Sequence, residues 1–78
     1  MQPNKKPFRE AFNFYEERLA SLEKQAADDA WWKETVLKMD ALVRMANYDH
    51  LLLDLLVVVH AELERAVKAR SNNTPATP

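Results

Sequence analysis

Met45-Ala46-Asn47-Tyr48-Asp49-His50-Leu51-Leu52-Leu53-Asp54-Leu55-Leu56-Val57-Val58-Val59 is the stretch whose reading decides the fold. Its second half, residues 51–59, carries a single polar side chain, Asp54. Such a run needs apolar cover on almost every side. A chain of 78 residues has little cover to give, because chains this short bury only about 60–65% of their unfolded surface. As a helix the run is roughly 14 Å long, about half of what a bilayer core requires. Arg44, Asp49 and His50 bound it on one side and His60, Glu62 and Glu64 on the other, so it is not a membrane span. The run raises the question of a partner.

The first half of the stretch asks whether one helix passes through it. Upstream, Trp32, Val36, Met39, Val43 and Ala46 repeat at spacings of 4-3-4-3. Across the stretch a second stripe runs through Met45, Tyr48, Leu52, Leu55, Val59 and Ala66, with Leu56 and Leu63 beside it. At about 100° per residue the two stripes differ in direction by roughly 150°, and the switch falls between Ala46 and Tyr48. A break at Asn47-Tyr48-Asp49 resolves the conflict. Asparagine tolerates the left-handed position after a helix, and Asp49 can cap the next one. The preferred reading is three helices, near residues 7–27, 29–46 and 49–70. Their similar lengths, about 27–33 Å, suit an antiparallel bundle. The competing reading is a two-helix hairpin with one long second helix over 29–70. That arrangement leaves the apolar overhang 51–67 bare unless a second chain covers it, so it demands a dimer.

Pro7 suits the first position of the first helix, with Lys6 or Asn4 near the cap. Phe8, Phe12, Tyr15, Leu19, Leu22 and Ala26 then recur at 4-3-4-3-4, an amphipathic pattern of a/d type. Asp28 and Asp29 can cap the second helix and place negative charge at its positive end.

Composition narrows the class further. Glycine is absent, although average usage would give about five residues. Hairpin turns and phosphate-cradling loops lean on glycine, so a β-rich fold and a nucleotide fingerprint are both disfavoured. The prolines, Pro3, Pro7, Pro75 and Pro78, all lie near the ends, which leaves residues 8–70 free of strong helix breakers. The expected class is all-α. No cysteine is present to supply a disulfide or thiolate site, which fits the cytoplasm. The formal net charge is −1, too small to draw in nucleic acid or an anionic membrane. Residues 1–7 lead into no apolar stretch, so no secretory leader is expected. Residues 1–6 are read as a flexible segment, 7–70 as the helical domain and 71–78 as a disordered tail. Without a leader, the glycosylation sequon at Asn72-Asn73-Thr74 is read as accidental.

Few side chains suggest chemistry. His50 and Asp54, and again His60 and Glu64, share a helix face at a spacing of four and are candidate metal ligands. Neither has a third ligand at helical spacing, and the Glu-x-x-His element of di-iron bundles is missing. Both read more simply as surface pairs. Asp54 falls on a polar strip with Asn47, His50, Glu64, Arg65 and Lys68. Lys5, Lys6 and Arg9 at the start, with Arg65, Lys68 and Arg70 at the end, are candidate phosphate contacts. Their plainer role is solubility and dipole compensation. Glu16-Glu17 and Asp28-Asp29 are sequence neighbours that do not face each other on a helix. Neither Ser21 nor Ser71 has a base at a useful spacing. Trp31 lies about 100° from the stripe through Trp32 and is an interface candidate.

The expectation is therefore a small helical bundle, oligomeric and most simply a homodimer, that acts as a protein–protein interaction module: an adaptor, assembly factor or inhibitor. No enzymatic activity, cofactor, metal or membrane partner is expected. The interface is assigned to Trp31, Leu51, Leu53, Val57 and Val58. A nucleic-acid-binding bundle and a metal-binding bundle are the alternatives.

Overall fold

The computed structural model describes residues 4–72, and side-chain burial for residues 4–70. Three helices make up the fold: α1 (Lys6–Ser21), α2 (Asp29–Met45) and α3 (His50–Asn72). No strand occurs among the described residues. The class is all-α and the three-helix reading holds. Residues 1–3 and 73–78, parts of the two terminal segments, lie outside the described residues. Ser71 and Asn72, read as tail, belong to α3.

Helix boundaries follow local chemistry. Lys5 caps α1 without a side-chain bond, and Pro7 occupies the first turn, where a missing N–H costs nothing. Asp28 adopts an extended conformation before α2, and its Oδ1 accepts from Trp31 N at 2.9 Å. Asp49 caps α3, its Oδ2 accepting from Leu52 N at 2.9 Å. Between α2 and α3 the chain turns at Asn47, φ 56°, and Tyr48, φ 59°. Asn47 N donates to Arg44 O at 3.0 Å and Tyr48 N to Val43 O at 2.8 Å, the paired bonds of a Schellman motif. Asn47 thus ends α2 and Asp49 starts α3, as the sequence predicts.

The first helix stops earlier than its stripe suggests. Glu23 N donates to Ala20 O and Lys24 N to Ser21 O, closing tight turns over residues 20–25. These bonds satisfy the last carbonyls of α1 and let the chain swing into the extended Asp28 cap. Ala26, assigned to the stripe, is exposed outside the helix.

The core is built from Ala11, Phe14 and Leu22 of the α1 segment, Trp31 and Val43 of α2, and Leu52, Leu56 and Leu63 of α3. The principal packing is α3 along α1, with α2 laid more loosely against α3. The buried line of α1 is Pro7, Ala11, Phe14, Arg18. This corrects the expected line by one residue: Phe8 and Phe12 are more than half exposed. In α2 the correction is similar. Trp31 and Thr35 are buried while Val36 is exposed and Trp32 half-buried. In α3, Leu52 faces inward as expected, but the buried line runs on through Leu56 and Leu63, read as lying beside the stripe. The stripe's own Leu55, Val59 and Ala66 are only half-buried, and Met45 and Tyr48 are exposed.

The cause of both shifts is one corner. Trp31 Nε1 donates to Ser21 Oγ at 2.8 Å, and Ser21 Oγ donates to Arg18 O at 2.7 Å. The Arg18 guanidinium lies over the Trp31 ring, 4.6 Å from its centroid. Arg18 Nη1 donates to Glu34 Oε1 at 2.9 Å, and Nη2 reaches Trp31 O at 3.4 Å. Thr35 Oγ1 donates to the same carbonyl at 2.8 Å. An indole needs an acceptor when buried, and only the 31/35 face of α2 brings it to Ser21 and beneath Arg18.

Candidate interaction surface

Helical phase divides the surface of α3 into strips. With Leu52, Leu56 and Leu63 inward, a step of 100° per residue puts Leu53, Val57 and His60 on one flank. Leu51, Leu55 and Val58 fall on the other, and Asp54 at the back. The first flank borders α2, because the His60 ring centroid lies 5.2 Å from that of Trp32. Between the two helices runs an open groove of about 330 Å³, lined by Val36, Met39, Val43, Tyr48, Leu53 and Leu56. Asp40, which also borders it, is ion-paired to Arg44 at 3.0 Å.

The α1–α2 seam differs in character. Glu17 Oε1 accepts from Lys38 Nζ at 2.7 Å, next to the Arg18–Glu34 pair. Exposed pairs of this kind contribute only about 0–1 kcal/mol each, and beside them the seam opens into a groove of about 310 Å³ bordered by Glu10, Asn13, Phe14, Lys38, Leu42 and Met45. On α1, Phe8, Phe12, Tyr15 and Leu19 fall on the flank turned away from Glu10 and Glu17, and therefore away from α2.

The residues assigned to an interface meet different fates. Val57 and Val58 are 60% and 57% exposed, and Leu51 and Leu53 are also open to solvent. They do not form one strip: Leu53 lines the α2 groove with Val57 on the same flank, and Leu51 and Val58 lie on the opposite flank. Trp31 is corrected outright. It is 1% exposed, held beneath Arg18 and beside Trp32, whose ring meets it edge-on at 4.7 Å. Sequence reasoning did not anticipate Phe8 and Phe12 on the surface, or Val36 and Tyr48 lining a groove. A signal for the first was present: Pro7, Ala11, Phe14 and Leu22 form a rival apolar line interrupted only by Arg18.

His50 and Asp54 are both exposed on α3. His60 Nδ1 lies 3.5 Å from Glu64 Oε1. Among the described residues no three of His, Cys, Asp and Glu gather into a group that would hold a metal ion. Arg65 is bound to Glu62 through Nε at 2.7 Å. The two basic clusters sit apart. Lys6 and Pro7 border Asp49 and Leu52 at the start of α3, whereas Lys68 lies about 24 Å further along its axis. No described helix is long and apolar enough to cross a membrane. No protein-family model matches this chain, and no curated protein or solved structure matches it either.

Proposed function

We propose that this chain is a small protein–protein interaction module that works as a homo-oligomer, most simply a dimer, through the apolar flanks of α3. The observation that carries the reading is the solvent exposure of Leu51, Leu53, Val57 and Val58 on a helix whose core-facing side is already filled. Leu53 lines the α2–α3 groove and Val57 shares its flank of α3, so the apolar surface is broader than a single side chain. Surface of that kind marks a site of association. A second copy is the favoured occupant because a net charge of −1 sets little repulsion between copies. The order of contacts, Ser21 with Trp31, Arg18 with Glu34 and Glu17 with Lys38, supports an antiparallel α1–α2 pair within each copy.

The test is sedimentation of the full chain over a concentration series. The wild type sediments as a dimer at micromolar concentration. Val57→Asp places an unpaired charge in the interface and weakens association by a hundredfold or more. Because Val57 is exposed in the protomer, the variant keeps its helical circular dichroism. A wild type that remains monomeric at high micromolar concentration defeats the proposal.

A further inference from the structure

We propose that the second copy exchanges α3 with the first, by straightening of residues 46–49 so that α2 and α3 become one helix from residue 29 to 72; this rests on the self-association proposed above and names its route. Three features of the hinge point there.

The first is conformational. Asn47 and Tyr48 both hold left-handed φ, 56° and 59°. Asparagine visits this region readily, but for a tyrosine the conformation costs roughly a factor of ten in an equilibrium constant. The chain contains no glycine to relieve the turn. The bonds that hold it, Asn47 N to Arg44 O and Tyr48 N to Val43 O, are replaced one for one by the regular ladder when the helix runs straight.

The second is permission. No proline or glycine lies between Asp29 and Asn72, so nothing in the segment forbids a continuous helix.

The third is pattern. Met45, Tyr48, Leu52, Leu55 and Val59 are spaced 3-4-3-4 across the hinge. In the folded-back chain this stripe is cut, and its first two members stand 85% and 62% exposed. In a straight helix they become one seam with the remainder. The unused part of the stripe is thus at the hinge, where two exchanging chains pass each other and bury new surface.

Exchange leaves the rest of the molecule unchanged. The dominant α1–α3 packing is kept, with each α3 lying on the α1 of the other copy. Core contacts cancel between the two states, and the balance is set by the hinge, by the new surface buried between the copies, the α3 flank with Val57 included, and by concentration. A dimer contains two hinges, so a tenfold effect per chain becomes about a hundredfold effect on the dissociation constant.

The test uses the full chain with Lys33→Cys and Glu64→Cys, both exposed, as unique thiols for spin labels. Doubly labelled chain is diluted into a large excess of unlabelled chain, and mass and interspin distance are measured together. Folded back, the labels sit beside the Trp32–His60 contact, whose ring centroids are 5.2 Å apart. In a continuous helix the 31-residue separation spans about 46 Å. The expected result is dimeric mass with the long distance. Asn47→Gly with Tyr48→Gly, which eases the turn and penalises the helix, restores the short distance and weakens dimerisation about a hundredfold or more. Asn47→Ala with Tyr48→Ala shifts both readouts the other way. Dimeric mass with the short distance overturns the exchange and leaves the self-association standing. Monomeric mass throughout overturns both, and a dimer constant indifferent to the glycine pair overturns the exchange.

Discussion

Replacing Arg18 by methionine should change stability by less than about 1 kcal/mol, although Arg18 is only 1% exposed. Methionine keeps the aliphatic stem and removes the guanidinium. The stacking over Trp31, at 4.6 Å, is then lost, about 1–2 kcal/mol at a water-poor site. The bond to Glu34 Oε1 goes as well. Glu34 is half-exposed, so that contribution is nearer 1 kcal/mol than the value of a fully buried pair. The Nη2 contact at 3.4 Å is long and adds little. Against these losses stands relief from burying a cation whose Nε has no hydrogen-bond partner among the described residues, a cost of several kcal/mol. The terms nearly offset. Arg18→Ala removes the stem too and opens a void against the indole, so it costs about 2–3 kcal/mol more than Arg18→Met. Urea unfolding followed by tryptophan fluorescence measures both. It must be run at one fixed protein concentration, because association adds to apparent stability. A loss above about 3 kcal/mol for Arg18→Met would show instead that the ion pair and the stacking outweigh the desolvation of the guanidinium.

Two further outcomes follow from the local chemistry. Asp28→Ala and Asp49→Ala each remove a cap bond of 2.9 Å and should lower stability by about 1 kcal/mol. The corresponding Asn variants, which cap comparably, should lose only a fraction of that, and equal losses for Ala and Asn in thermal melts would argue against the capping role. Ser21→Ala leaves the Trp31 indole N–H without its acceptor and should cost about 1–2 kcal/mol. Combined with Trp31→Phe, its effect should largely vanish in a double-mutant cycle, whereas additivity would mean the hydroxyl acts elsewhere.

How much of this was legible in the sequence depends on the range of the forces involved. Helix number and two of the three starts were readable because caps act over three residues. Asp28 and Asp49 bond the N–H three positions ahead, and Asn47 takes the conformation its side chain tolerates. The inward face of α3 was readable only to within one residue: Leu52 lies on it, but Leu55 and Leu56 are equal in size and hydropathy, and spacing favours the Leu55–Val59 line over the Leu56–Leu63 line that is buried. The phase of α1 was not readable. Two apolar lines, through Phe8 and through Pro7, differ by one residue, and hydropathy favours the wrong one because Arg18 counts as polar. The choice between Trp31 and Trp32 fails for the same reason. Adjacent indoles are equivalent to any periodicity argument. What separates them is a hydroxyl ten residues away, a tertiary contact that spacing does not encode. The interface residues were identified one by one as surplus to a single seam. Their division into two flanks became visible only once α2 was seen to lie on the Leu53 side.

The exposed phenylalanines and the buried arginine are one fact seen from two ends of α1. Turning α1 by one residue, about 100°, would bring Phe8 and Phe12 inward, each worth about 1.5–3 kcal/mol of burial. The same rotation would carry Phe14 out of the core, returning one such side chain to water. It would also withdraw Ser21 and Arg18 from Trp31. The indole would keep its buried surface, on the order of 200 Å², but its N–H would lose its acceptor and the ring its covering cation. The apolar gain of the turned helix is therefore about one phenylalanine, and the polar loss at the corner is of the same size. Because Ala11 is small, the observed register also lets α1 approach α3 closely, which a phenylalanine at that level would prevent. The register is thus set at the Ser21 end and transmitted along a rigid helix to the Phe8 end, roughly 20 Å away. The apolar strip on α1 is a consequence of the Trp31 corner, and removing bulk at Phe8 or Phe12 leaves the corner, and with it the fold, in place.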